Sequence, residues 1–134
     1  MKQKRAVVMI VCNGKREMLL VKKEQGGISE LAGKWALPAE TLEGHESDQD
    51  AIRRGLDEEV RLVLDGEATY ITETNSFGMQ IGWYSCMVKN PDCAIAGSDA
   101  DDFKWGKRCV VLALYGQLRL HPLPDKVKEF LKTV

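Results

Sequence analysis

The chain opens on an apolar run. From Arg5 to Cys12 it reads RAVVMIVC, rich in Val and Ile, and this predicts a buried strand. Asn13-Gly14 is a strong turn signal, and a second apolar run from Met18 to Val21 completes a predicted hairpin. Lys22 to Gly33 holds Gly26, Gly27 and Gly33 with little periodicity and reads as a surface loop of the kind that often borders a ligand. Trp35 to Leu37 gives a short strand ended by Pro38, and Thr41 to Glu43 another. Ser47 then has Asp50 in the capping-box position and Asp48 near the positive end of the helix dipole, so a helix starts there. Along it Ala51, Leu56 and Val60 fall near one face, with Ile52 or Val63 at its margins. Arg53, Arg54, Asp57, Glu58 and Arg61 make the other side polar. Gly55 interrupts the helix interior at a cost of about 1 kcal/mol relative to alanine, and close packing of a neighbouring segment is its plainest explanation.

After a turn at Asp65-Gly66, Ala68 to Thr74 and Met79 to Val88 have the Thr, Tyr, Ile and Trp content of strands, joined as a long hairpin through Asn75 to Gly78. A polar, aspartate-bearing loop from Asn90 to Asp102 leads into a last short strand, Phe103 to Trp105. Cys109 to Tyr115 predicts a short helix stopped by Gly116. Pro122 and Pro124 break the chain, and Asp125 is placed to cap a final helix from Lys126 to Thr133 that docks through Val127, Phe130 and Leu131. Strands alternating with two or three helices predict an α/β architecture, a mixed sheet covered on both faces.

Composition narrows the function classes. With 134 residues, 44% apolar and 29% charged, the expectation is one globular domain over residues 1–134. A formal net charge of -1 offers no general attraction to a nucleic acid duplex or an anionic membrane. A polyanionic substrate must therefore be met by a local site or a metal. The apolar run at the N-terminus is too short for a bilayer span and has no signal-peptide cleavage site, which predicts a cytoplasmic protein. Cys12, Cys86, Cys93 and Cys109 form no CxxC pair and have no histidine at ligand spacing, so buried, reduced thiols are expected instead of zinc or a disulfide.

The stretch from Trp35 to Leu62, WALPAETLEGHESDQDAIRRGLDEEVRL, concentrates the chemistry. Glu46, Arg54, Leu56, Glu58, Glu59 and Leu62 keep, without a gap, the spacing of the Nudix box, and Trp35, Leu37, Pro38, Glu43, Ser47 and Ala51 match its flanks. The chain thus resembles the Nudix (MutT-like) hydrolases, with a degenerate box. Glu40 and Arg61 replace the two signature glycines, Ala39 and His45 replace two more, and Gly55 stands where the first glutamate of the catalytic run belongs. The resemblance implies a Nudix-type α/β/α sandwich with a mixed β-sheet. It also implies a Mg²⁺- or Mn²⁺-dependent hydrolase that cleaves a pyrophosphate bond in a nucleoside diphosphate derivative, in which the ion polarises phosphoryl oxygens and activates water.

Residues 55, 58 and 59 share one helix face, and clustered carboxylates with hard oxygen donors suit such an ion. By resemblance, Glu58 and Glu59 are the metal ligands, Glu58 or an acid from a distant loop the base, and Arg54 with Glu46 an orienting ion pair. The main-chain carbonyl of Ala39 is a further ligand. Glu40, Glu43, Asp99, Asp101 and Asp102 are candidates to replace the carboxylate missing at Gly55. The alternative is a catalytically impaired Nudix-fold module for ligand sensing or protein binding, because the lost glycines would strain Glu40, His45 or Arg61 wherever φ is positive. On the bland view, the charged residues from Arg53 to Arg61 form a solvated face with weak ion pairs. His45 could touch phosphate, His121 reads as structural, and Phe77, Trp83 and Tyr84 read as core aromatics that could instead stack a base. Trp35 and Trp105 read as sheet packing, Lys22, Lys23 and Lys34 could offset substrate charge, and pairing as a homodimer is expected only by analogy.

Overall fold

The computed structural model describes residues 4–23, 33–76, 78–97, 100–116 and 122–134. Eight strands and three α-helices follow in the order β1 (Lys4–Cys12), β2 (Met18–Lys22), β3 (Trp35–Ala36), β4 (Ala39–Thr41), α1 (Asp48–Val60), β5 (Val63–Leu64), β6 (Thr69–Ser76), β7 (Met79–Lys89), β8 (Asp102–Gly106), α2 (Arg108–Gly116) and α3 (Asp125–Leu131). A 3-10 turn at Pro91–Cys93 precedes β8.

β1 is the axis of the sheet. It runs parallel to β7 along its whole length, from Lys4↔Met79 to Cys12↔Met87, and its other edge is shared by β4 near Val8 and β2 at Cys12↔Met18. β2 continues outward antiparallel to β8 and β3, while β6 and β5 flank β7. Parallel and antiparallel pairings together make the sheet mixed, as the sequence predicts.

Residues 6–11 of β1 are all buried because the sheet is covered on both faces. Val7, Met9 and Val11 pack with Ala51, Ile52, Leu56 and Val60 of α1. Ala6, Val8 and Ile10 pack with Val111 and Tyr115 of α2 and with Val127 and Leu131 of α3. The period of two along a strand sends alternate residues into these two cores, giving the α/β/α sandwich.

Helix α1 begins as its sequence dictates. Ser47 accepts from the Asp50 amide, the Asp50 side chain accepts from the Ser47 amide, and both halves of the capping box are made. It ends one residue after Val60, with Arg61 left-handed at φ 56 and its amide bonded back to Asp57. Val63 consequently leaves the helix for β5 and stands 62% exposed, not at the margin of the helix core. Three further expectations are corrected. The strand expected at Thr41 to Glu43 begins instead at Ala39 and closes at Thr41, because the pairing with β1 runs from Ala39↔Val8 to Thr41↔Ala6. Asp125 does not cap α3: Pro124 holds the N-cap position with no side-chain bond, and Asp125 is already helical. Cys93 and Cys109 are exposed, not buried, while Cys86 is buried and Cys12 half-buried, and all four are free thiols. No described helix is long and apolar enough to cross a membrane.

Candidate active site

The site is assembled from four short segments around the C-terminal half of α1. Glu58 and Glu59 come from its last turn, Ala39 and Glu40 from β4, and Glu43 and Glu46 from the loop that leads into the helix. Lys23 directly follows β2, and residues 94–97, 100 and 101 come from the approach to β8.

Arg54 ties three of these together. Its Nε and Nη2 each donate to a Glu46 carboxylate oxygen at 2.9 Å, and Nη2 also donates to the Thr41 carbonyl at 2.9 Å. Nη1 reaches Glu40 Oε2 at 3.2 Å and Glu58 Oε2 at 3.3 Å. One guanidinium fork therefore fixes the entry loop, β4 and the helix in a single register, which a lysine could not do. The pairing with Arg54, and secondarily a hydrogen bond from the Glu43 backbone, holds the Glu46 carboxyl below the usual carboxylate range. Glu43 itself is 74% exposed and only 3.7 Å from Arg54, so it borders the site without being drawn in.

Glu59 stands apart from the charged residues beside it. It is 0% exposed, with both carboxylate oxygens buried, and Lys23 Nζ lies 2.7 Å from Oε1. The bland view of a wholly solvated charged face is overturned at this residue, although Arg53, Asp57 and Arg61 do face solvent.

β4 explains the arrangement on the other side. Met9 and Leu42 amides bond the Pro38 and Arg5 carbonyls across the β1–β4 pair, so the intervening carbonyls of Ala39 and Thr41 turn off that ladder, and Thr41 meets Arg54. Glu40 is 8% exposed and its side chain lies in the gap beside Gly55, where an added Cβ would fall 2.3 Å from Glu40 Cγ. Gly55 is thus a packing glycine.

The loop before β8 docks on the end of α1. Ile95 and Gly97 amides donate to the carbonyls of Val60 and Glu59 at 3.1 and 2.8 Å, which satisfies carbonyls that a helix end leaves open. Gly97 makes the approach possible, since a Cβ there would lie 2.1 Å from the Glu58 carbonyl oxygen. Asp101 follows with its amide bonded to the Lys22 carbonyl at 2.9 Å, its side chain exposed. Asp102 is exposed at the start of β8. Asp99, His121 and Phe77 lie outside the described residues.

A sequence model of the NUDIX domain matches residues 2–103. The chain belongs to the Nudix family. Solved structures agree on the fold. The MutT NUDIX hydrolase of Burkholderia pseudomallei is 17% identical, with a TM-score of 0.67 over 100% of this chain and 99% of that one. The NUDIX domain of Shewanella oneidensis NrtR, complexed with ADP-ribose, is 18% identical with a TM-score of 0.68, over 99% of this chain and 87% of that one. A MutT/nudix family protein from Enterococcus faecalis is 21% identical with a TM-score of 0.66, over 78% of this chain, which spans only 44% of that protein. No curated protein sequence matches this chain.

The departures from the Nudix box have distinct physical outcomes. Arg61 does adopt the positive φ that suits glycine, and the strain expected there is real. Neither Glu40 nor His45 has a positive φ, so the strain expected at them is absent; Gly44 takes that conformation, at φ 55. Trp83 and Tyr84 are core residues with 0% and 8% exposure, bonded to Thr74 and Asp48.

Among the described residues no three acidic, His or Cys side chains already stand together as a metal-binding group. Lys23 and Arg54 hold these carboxylates instead. The donors nonetheless suit a hard divalent cation, since carboxylate oxygens are the ligands such ions prefer and two of the three carboxylates are buried. Sequence reasoning named the lysines near the loop but not the contact of Lys23 with Glu59. It also missed the cluster at the other end of α1, where Arg5 forks onto Asp48 at 2.7 and 2.5 Å and Tyr84 donates to the same carboxylate. Asp48 is read from sequence only as a dipole partner, and nothing local reveals that β1 and β7 converge on it.

Proposed function

We propose that this Nudix protein is a divalent-metal-dependent pyrophosphohydrolase that cleaves the diphosphate linkage of a nucleoside diphosphate derivative. The single observation behind this reading is Glu59, a carboxylate without exposed surface on the last turn of α1 and next to Glu58. Burying such a group costs several kcal/mol unless a cation accompanies it; Lys23 is one such cation here, and a divalent ion between Glu58 and Glu59 would supply the same charge with better oxygen coordination.

Glu58 and Glu59, with the main-chain carbonyl of Ala39, are the groups to hold Mg²⁺ or Mn²⁺, and Asp101, which follows the loop docked on the end of α1, is a further candidate. When bound, the ion supplies the charge that polarises phosphoryl oxygens and acidifies water. Glu58, more exposed than its neighbour at 38%, is able to accept the proton of the attacking water. Arg54 and Glu46 position the loop through their forked pair. Lys22, Lys23 and Lys34, which border the Gly-rich stretch in the sequence, would offset phosphate charge. The Shewanella domain complexed with ADP-ribose makes ADP-ribose the first compound to try. A cytoplasmic setting, small-nucleotide partners and pairing as a homodimer complete the proposal.

A second reading draws on one specific observation. Arg54 and Lys23 already neutralise the carboxylates, as a catalytically impaired module for ligand sensing or protein binding would require. A panel of ADP-ribose, sugar nucleotides, dinucleotides and nucleoside triphosphates separates the two when each is incubated with Mg²⁺ or Mn²⁺ and protein, with Glu59→Gln as control. Product released by the unmodified protein and lost in Glu59→Gln is the expected result. Saturable binding of a panel member without turnover would transfer the conclusion to the sensing module.

A further inference from the structure

We propose that Glu40 supplies the third metal-facing carboxylate of this site, entering from β4 through the notch that Gly55 leaves in α1. The proposal rests on the metal-dependent reading above and assigns a ligand that the box pattern does not.

A Cβ built on Gly55 would lie 2.3 Å from Glu40 Cγ and 3.2 Å from Glu40 Cδ. The Glu40 chain therefore fills the volume into which a side chain at position 55 would project, and brings its carboxyl carbon to the same side of α1. The Nudix box has glycine at the first of these positions and glutamate at the second. In this chain the two are exchanged, and each residue is sterically conditional on the other. Glutamates at both positions would collide, and glycines at both would leave only the Glu58-Glu59 pair.

The surroundings of Glu40 favour a ligand over a packing residue. Its Oε2 lies 3.2 Å from Arg54 Nη1, which also meets Glu58 Oε2 at 3.3 Å and the exposed Glu43 at 3.7 Å, so the Glu40 and Glu58 carboxylates share one nitrogen. Its Oε1 is buried. Glu59 lies one helical turn beyond Gly55 on the same face of α1. A carboxylate is an unfavourable filler for such a notch unless positive charge accompanies it; Arg54 supplies that charge here but divides it among Glu40, Glu46 and Glu58, and a divalent ion would supply the rest. Hard oxygen donors converging from a strand and a helix meet the ligand preference of Mg²⁺ and Mn²⁺.

Mn²⁺ binding to the purified full chain, read from the loss of the free-ion electron paramagnetic resonance signal, tests the assignment without any substrate. Glu40→Gln should weaken Mn²⁺ by at least about 10-fold, the lower end of what supporting residues around a metal contribute, and Glu59→Gln should do the same. The exchange variant Glu40→Gly/Gly55→Glu should return to the affinity of the unmodified protein, and Gly55→Glu alone should not tighten binding. Thermal unfolding confirms that each variant is folded, and the exchange variant decides if Glu40→Gln is not. Unchanged affinity in Glu40→Gln with loss in Glu59→Gln overturns the role of Glu40 and leaves the metal site intact. An exchange variant that is folded but does not bind, or that binds far more tightly than the unmodified protein, overturns it as well. A protein with no saturable Mn²⁺ site at all overturns both this proposal and the metal-dependent reading.

Discussion

Gly55→Ala puts the packing of the site to a test of sign. In an exposed helix interior this change stabilises by about 1 kcal/mol, because alanine loses less backbone freedom and covers the helix better. Here the new methyl would sit 2.3 Å from Glu40 Cγ and 3.1 Å from Met9 Cε. Met9 Cε is the end of a flexible chain and can move. Glu40 Cγ cannot move easily, since its backbone is paired with Val7 and its carboxylate is held by Arg54. Forcing an extra methyl into such a contact costs about 1–3 kcal/mol. The balance is a net loss of up to about 2 kcal/mol, or several degrees in Tm for a chain of this size. In a Glu40→Ala background the obstruction is gone, and Gly55→Ala should instead stabilise by about 0.5–1 kcal/mol. Urea unfolding of the four proteins closes a double-mutant cycle whose coupling should exceed about 1 kcal/mol. Stabilisation of the unmodified chain by Gly55→Ala, or the same effect in both backgrounds, would refute the contact between Glu40 and α1.

Other consequences are equally direct. Arg54→Lys keeps the charge but not the fork onto Glu46 and the Thr41 carbonyl, and urea unfolding should show a loss of about 1.5–3 kcal/mol, typical of hydrogen bonds to charged groups; a loss under about 0.5 kcal/mol, within the range of ordinary surface substitutions, contradicts it. The hydrogen bonds from Arg5, helped by that from Tyr84, hold the Asp48 carboxyl below its ordinary range. A depressed carboxylate contributes stability above its unfolded pKa and loses it as pH falls through the folded one, so the urea midpoint should drop below about pH 4 and Asp48→Asn should flatten that part of the profile. For this half-buried, partly screened pair the contribution is about 1 kcal/mol. Native protein mixed with a thiol reagent should show two fast cysteines, Cys93 and Cys109, and two slow ones. Burial raises Cys12 to about 11 and Cys86 to about 12, and four equally fast thiols would contradict the fold at these positions.

Most local elements and the family were legible in residue pattern alone. Ser47 with Asp50 specifies where α1 starts because both capping bonds are made within four residues, and Asn13 specifies the turn after β1 because its side-chain oxygen accepts from the Lys15 and Glu17 amides within that turn. The spacing of Glu46, Arg54, Glu58 and Glu59 likewise carries the resemblance, and the Glu46–Arg54 pair is formed. Tertiary structure decided what depends on distant segments. The run from Ala6 to Val11 is apolar at every position, so no pattern within it says which residues face α1 and which face α2 and α3; the pairing with β7 and β4 does. The exposure of Cys93 and Cys109 depends on which face of their elements meets the body. Above all, Gly55 reads in sequence both as a lost carboxylate and as a close-packing position, with Glu40 only one of five acids offered in replacement. Only the passage of β4 across α1 shows the Glu40 side chain standing in its place, because van der Waals exclusion between residues far apart in the chain acts through the folded backbone and leaves no mark on local pattern.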